Sequence, residues 1–346
     1  MTTAIAPEST RMFAEAAEAA TAVERALAEN ASRMIALAAR LRAKPPRAVL
    51  TCARGSSDHA ATYARYLIET ELGVLTSSAA LSISSVYGAA PALNDVLYLV
   101  ISQSGRSPDL IASAEAARKK GALVIALVND VESPLADLSD ETIALSAGPE
   151  KSVAATKSFI AALAAALHLV AEWRGSADLR RARAALGAHL RQAWEQDWSH
   201  AREHLREARN MFTIGRGVGL AAAQEAALKF KETCGLHAEA FSAAEVMHGP
   251  LALAGAGFPA LFLAQSDATL ASMIATAEAF AERGADVVFA GAAEAWEGAL
   301  PCVSAHPAAE PILLAQSFYR MTNELAVARG FDPDRPPHLS KVTETV

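Results

Sequence analysis

The sequence predicts an α/β chain of two tandem, doubly wound halves, each a parallel sheet flanked by helices on both faces. Three observations lead there. Short apolar runs alternate with helical segments along the chain, the pattern that builds parallel sheets. The strand–turn–helix theme of the first half returns after residue 210, as a tandem duplication would place it. The length, 346 residues, suits two domains of ordinary size.

The elements follow in order. Residues 7–41 read as helix, with Met12, Ala16, Ala20, Val23, Leu27, Met34, Leu37 and Leu41 near a 3.6-residue period. Lys44-Pro45-Pro46 stops it. Residues 47–52 read as a strand, 53–58 as a turn, 59–72 as a helix and 74–77 as a short strand. The strand 96–102 passes through a loop at 103–108 into a helix ending at Lys120, and strands follow at 123–128 and 142–145. Residues 153–172 are almost entirely apolar, so the helix they predict must be buried or at an interface. Residues 174–209 are charged and read as a pair of linking helices. The second half gives a strand at 211–214, a turn at 215–219 and a helix at 220–234. Strands at 258–264, 286–290 and 301–304 and helices at 268–283 and 311–329 complete it. The implied division is a helical segment 1–45, a first domain 46–175, a linker 176–209, a second domain 210–330 and a tail 331–346.

Composition narrows the function classes. Hydrophobic residues make up 52% and charged residues 20%, a globular balance. The net charge of −7 argues against non-specific nucleic-acid binding and against an anionic membrane surface. Cys52, Cys234 and Cys302 form no CxxC pair and no metal spacing, and they read as plain buried thiols in a reducing compartment. Met1-Thr2-Thr3-Ala4 lacks the features of a secretory leader. The apolar stretches 154–170 and 251–265 are interrupted by Lys157 and His168, and by glycines and Pro259, so no membrane span is expected. A cytoplasmic protein without metal or cofactor is the expectation.

Two Ser/Gly turns stand between a strand and a helix in the first half: Arg54-Gly55-Ser56-Ser57 and Ser102-Gln103-Ser104-Gly105-Arg106-Ser107. Strand carboxyl ends feed the ligand crevice of an open parallel sheet. Small residues let backbone N–H groups approach an anion, and a following helix start favours negative charge. Each turn alone is also ordinary loop and N-cap chemistry. The pair reads as a phosphate cradle, and neither turn fits a dinucleotide or Walker pattern. In the second half, Glu225, Lys229 and Glu232 fall at i, i+4 and i+7 on one helix face. A carboxylate, an amine and an imidazole are the parts of a general acid–base site. By spacing alone the trio is equally a surface helix with a Glu–Lys pair. His248, before Gly249-Pro250, reads by itself as a structural histidine, and Lys341 as a surface lysine in a Pro-rich tail.

The segments 52–57, 101–107, 150–159, 215–250 and 339–346 together resemble the sugar isomerase (SIS) fold, and more closely the isomerase half of glutamine–fructose-6-phosphate aminotransferases. The similarity runs from about Arg47 to the end of the chain. It implies two SIS subdomains, usually in a dimer, with the tail completing the active site. It also implies roles. Ser57, Ser102, Gln103, Ser104 and Ser107 match residues that hold the sugar phosphate and hydroxyls, and Val153 one whose backbone contacts the sugar. Glu232 matches the base that moves a proton between carbons 1 and 2, and Lys229 its catalytic neighbour. His248 matches the histidine that assists ring opening in the partner subunit, and Lys341 the lysine that forms a Schiff base with the ketose.

Three departures qualify the match. Ala155 replaces a serine of the sugar-binding loop, and Arg106 stands where glutamate is common, which makes that loop more cationic. No glutaminase domain or N-terminal nucleophilic cysteine precedes the sugar-binding part, so ammonia is not expected from glutamine in cis. The resulting expectation is an isomerising deaminase of a hexosamine 6-phosphate, foremost glucosamine 6-phosphate, acting as a homodimer. The other readings are a galactosamine-6-phosphate or fructosamine-6-phosphate enzyme, or a non-catalytic sugar-phosphate sensor.

Overall fold

The structure, a computed structural model, describes residues 5–89, 91–339 and 341. Residues 1–4, on which the leader reading rests, and 342–346, in the tail, lie outside the described residues. The first half runs α1 (Arg11–Ala17), α2 (Ala19–Glu29), α3 (Ala31–Ala43), β1 (Ala48–Cys52), α4 (Ser56–Leu72), β2 (Thr76–Ser78) and α5 (Ser82–Ser85). It continues through β3 (Val96–Ser102), α6 (Pro108–Lys119), β4 (Leu123–Val128), α7 (Pro134–Leu138), β5 (Glu141–Ala144) and α8 (Lys157–Arg174). The second half runs α9 (Ala177–Trp194), α10 (Ser199–Leu205), β6 (Asn210–Gly215), α11 (Leu220–Cys234) and β7 (His237–Ser242). It ends with β8 (Pro259–Leu263), α12 (Leu270–Ala281), β9 (Asp286–Ala290) and α13 (Glu310–Ala328).

Both sheets are wholly parallel, with strand orders β2-β1-β3-β4-β5 and β7-β6-β8-β9. The chain divides into two compact units. One holds Thr21–Pro149, Ser158–Ala184 and Lys341, with the first sheet; the other holds residues 5–20, Glu150–Lys157 and Ala185–Leu339, with the second.

In the first sheet all seven residues of β3 are buried, which is why it reads as a continuous apolar run. Val96, Tyr98 and Val100 face one cluster with Leu110 and Ala114 of α6, and the alternate residues face the opposite side. In the second sheet Phe212, Phe262 and Phe289 gather with Met273 and Phe280 of α12. Phe262 and Phe280 meet edge to face at 5.5 Å. On α11, Phe230 makes a similar contact with Phe318 of α13 at 5.1 Å.

Several boundaries differ from the sequence reading. The single helix expected over 7–41 is three helices, α1 to α3. Thr10 caps α1 by accepting from Phe13 N–H. Asn30 leaves helical geometry between α2 and α3 and turns its amide to the carbonyls of Ala26 and Ala144. The apolar helix begins at Lys157, not 153, because residues 150–156 form a loop held by carboxylates. Residues 301–304 are not a strand; only Leu300 bridges to Ala290. β7 was not expected, since His237-Ala238-Glu239-Ala240 carries no β-branched residue and lies at a half-exposed edge. Cys52 and Cys234 are buried as expected, whereas Cys302 is only partly so.

α8 contains a pH-sensitive position. His168 is 2% exposed, and its Nε2 has no hydrogen-bond partner among the described residues. Burial, then the charge of Arg183, push its pKa down from 6.5 to about 4, against a smaller opposing pull from Glu172. The folded value lies below the unfolded one. The neutral imidazole therefore contributes its full stability above pH 6.5, and that contribution is lost as pH falls from there through about 4. Its size is roughly 3 kcal/mol. His168→Leu is expected to flatten the stability loss across that window in urea titrations, and parallel pH profiles for variant and parent would refute the assignment.

Candidate functional site

The unit with the first sheet carries the proposed anion loops. β1 and β3 are neighbours, so the turns leaving them open at the same end of the sheet. Ser57 lies half-buried in the first turn of α4. The Ser102–Ser107 loop is shaped from within: Ser102 Oγ accepts from Gly105 N–H at 3.0 Å, and Ser104 Oγ from Arg106 N–H at 3.3 Å. Gly105 has φ +64°, and a Cβ there would run into the Ser133 side chain and Val128, so only glycine permits the turn. Gln103, Ser104 and Ser107 are half-buried at the loop's edge, and the Ser107 hydroxyl makes no capping bond to α6.

Two arginines frame these loops. Arg54 spans from the first turn to the start of α6, where Nε and Nη2 each reach Asp109 Oδ2 at 3.0 Å. Asp109 is 1% exposed, and its other oxygen accepts from Leu110 N–H. Arg106 pairs with Asp130 at 2.7 Å, and this hydrogen bond holds the Asp130 carboxyl below its ordinary range. The more cationic loop expected from Arg106 is thus offset by a neighbour 24 residues away. Lys341 belongs to the same unit and is half-buried.

The other unit carries the residues expected to do acid–base chemistry. Lys229 Nζ lies 3.1 Å from Glu225 Oε1 and 2.6 Å from Glu232 Oε2. Tyr319, from α13, donates its hydroxyl to Glu225 Oε1 at 2.9 Å. Glu225 and Lys229 are fully buried, while the Glu232 side chain is 20% exposed. The surface-helix alternative for this stripe is therefore excluded. Burial alone would lower the Lys229 pKa, but Glu225 and Glu232 more than offset it and raise it above the usual lysine range. Lys229 is thus a fixed ammonium at neutral pH, not a nucleophile or base. Burial, and then the Glu225 charge, keep Tyr319 protonated. A carboxylate with one buried cation behind it and one face towards solvent can accept and return a proton.

In the same unit Val153 sits half-buried in the loop 150–156. Glu15 accepts from Lys151 and Ser152 N–H at 2.5 and 3.1 Å, and Glu150 accepts from Thr156 N–H at 3.0 Å. His248 is exposed, follows the 3-10 turn Glu245–Met247, and precedes Gly249 at φ +133°. It is not the packed structural histidine that its position alone suggested. Its imidazole makes no hydrogen bond among the described residues and does not join the Glu232 cluster. Tyr319 and Glu15 were missed by sequence reasoning, because their partners lie 94 and about 136 residues away. Among the described residues no group of three His, Cys, Asp or Glu could hold a metal, and no helix could cross a membrane.

The SIS domain model matches residues 44–171 and 204–290. The chain belongs to the SIS family. The chain is 35% identical over 349 aligned positions to the glutamine–fructose-6-phosphate aminotransferase of Aeropyrum pernix, covering 92% of this chain and 55% of that protein. The SIS chain thus spans about half the length of the curated relatives it matches. A putative phosphosugar isomerase from Silicibacter pomeroyi superposes with TM-score 0.89 at 44% identity, over 94% of this chain and all of that one. A glucosamine-6-phosphate deaminase from Thermotoga maritima superposes with TM-score 0.78 over 97% of this chain and all of that one. At 21% identity, that likeness concerns the fold.

Proposed function

We propose that the protein is an isomerising deaminase of a hexosamine 6-phosphate, with glucosamine 6-phosphate as its substrate and fructose 6-phosphate and ammonia as products. The observation that carries this reading is the Glu232 carboxylate, held by the buried Lys229 ammonium and open on one side. The similarity to aminotransferases of fructose 6-phosphate and to a phosphosugar isomerase supports the substrate class.

The Ser57 and Ser102–Ser107 turns would bind the phosphate and hydroxyls through backbone N–H and hydroxyl donors, and the Val153 backbone would contact the sugar. His248 would assist ring opening, which exposes the carbon 1 aldehyde. Its exposure suits service to the site of a second subunit in a homodimer. Glu232 then takes the proton from carbon 2, leaving an enolamine, and returns it to carbon 1. The product is a carbon 2 imine. Water adds to that imine and ammonia leaves, giving the ketose. Lys229 stays charged throughout and stabilises the ionised base. Lys341 would either capture the ketose as an imine, with loss of water, or only position it.

The test is product release from glucosamine 6-phosphate without glutamine or added metal. Equimolar ammonia and fructose 6-phosphate are expected. Binding of the sugar phosphate without either product would overturn the deaminase and favour another amino-sugar phosphate or a sensing role.

A further inference from the structure

The second half holds a copy of the Ser102–Ser107 loop, and its donors are already occupied. Strand order β7-β6-β8-β9 repeats β2-β1-β3-β4, so β8 stands in the place of β3. β3 ends at Ser102 and leads through Gln103-Ser104-Gly105-Arg106-Ser107 into α6; β8 ends at Leu263 and leads through Ala264-Gln265-Ser266-Asp267-Ala268-Thr269 into α12. Both loops carry Gln-Ser at the same distance before the helix that follows, Gln103-Ser104 ahead of α6 and Gln265-Ser266 ahead of α12. In the second loop, the Glu310 carboxylate accepts from Ser266 N–H at 2.6 Å, from Ser266 Oγ at 2.8 Å and from Ala305 N–H at 3.2 Å. Glu310 opens α13 and is only 8% exposed. Beside it, at the carboxyl ends of β8 and β9, lies a cavity of about 250 Å³ whose lining includes Ser266, Glu294, Cys302, Ser304, Glu310 and Ser317.

We propose that the second repeat retains an oxyanion site that the chain fills with its own carboxylate. Glu310 occupies the position of a small carboxylate or the phosphate of a monoester, on the donor geometry that loop chemistry supplies to anions. The two repeats are thereby made unequal: the first keeps an open cradle, and the second is closed by an internal ligand. The cavity beside Glu310 repels a second sugar phosphate, so each chain binds one. This inference stands apart from which sugar the first loop takes, and the two readings fail separately.

Glu310→Ala leaves a carboxylate-sized gap facing the Ser266 and Ala305 donors. Thermal melts of parent and variant are compared in sodium chloride, acetate and phosphate at equal ionic strength. General salt effects act on both proteins, so the difference between them is the readout. The variant is expected to recover about 2 °C more than the parent when the anion stands about tenfold above its Kd. Ser266→Ala placed in the Glu310→Ala background should remove most of that recovery. Calorimetry should count one phosphate per parent chain and one more per Glu310→Ala chain. Should Glu310→Ala not fold in chloride, the refolding yield of Glu310→Ser is read instead, and it should rise in acetate or phosphate over chloride. An unchanged parent–variant difference across the three salts, or anion-independent refolding, overturns the proposal.

Discussion

Glu232→Gln is expected to lower turnover of glucosamine 6-phosphate about 10²–10⁴-fold, the usual share of a general base. Sugar-phosphate binding should stay within a few-fold of the parent. The amide keeps the size of the side chain and can still accept a hydrogen bond from Lys229 Nζ, but it cannot carry the carbon 2 proton. Glu225 remains as a counter-charge for Lys229, 3.1 Å away, so the buried ammonium is not orphaned. Kinetics with parallel calorimetry separates the two effects. Turnover within tenfold of the parent would remove Glu232 from the base role.

Lys229→Met should cost about 3–5 kcal/mol of stability, the penalty for breaking a buried ion pair from one side. The methionine fills much of the volume, but Glu225 is left fully buried with the Tyr319 hydroxyl as a neutral donor. Without its cation, that carboxyl gains by binding a proton in the folded state. The variant should therefore recover stability relative to the parent as pH falls, because its folded state binds more protons than its unfolded state. Adding Glu225→Gln should restore much of the loss, giving a favourable coupling in a double-mutant cycle. Denaturant titrations of the four proteins would measure it, and additive losses would show that the Lys229–Glu225 pair is not the source. Activity should also fall in Lys229→Met, since Glu232 loses its charged partner.

What could be read from the chain follows the range of the interactions. α11 was legible to its ends, because Gly219 and Gly235 bracket it and its apolar face is periodic. β3 and β4 were legible because strands buried on both faces form unbroken apolar runs. β7 was not, since an edge strand half-exposed to solvent has no such run. The charged stripe of α11 was visible, but not its burial: α13 covers it, and Tyr319 reaches Glu225 across 94 residues of chain. The same limit hid the Arg106–Asp130 pair and the Glu15 carboxylate that pins the Val153 loop. Spacing can place side chains on one face, but the packing partner of that face is set by tertiary structure. Lys341 shows the opposite case: its surroundings in sequence read only as a Pro-rich surface tail, and the role proposed for it comes from resemblance alone.

In the proposed reaction Glu232 carries a proton between carbons 1 and 2 of an amino-sugar phosphate that then loses its amine. The most direct measurement is the reaction of glucosamine 6-phosphate in deuterated water, followed by nuclear magnetic resonance at carbon 1 of the product. The expected result is fructose 6-phosphate with one solvent deuterium at carbon 1 in a measurable fraction of molecules, formed with ammonia, and no such product from Glu232→Gln. Fructose 6-phosphate formed by Glu232→Gln at the parent's rate, or with the same deuterium content at carbon 1, would contradict it.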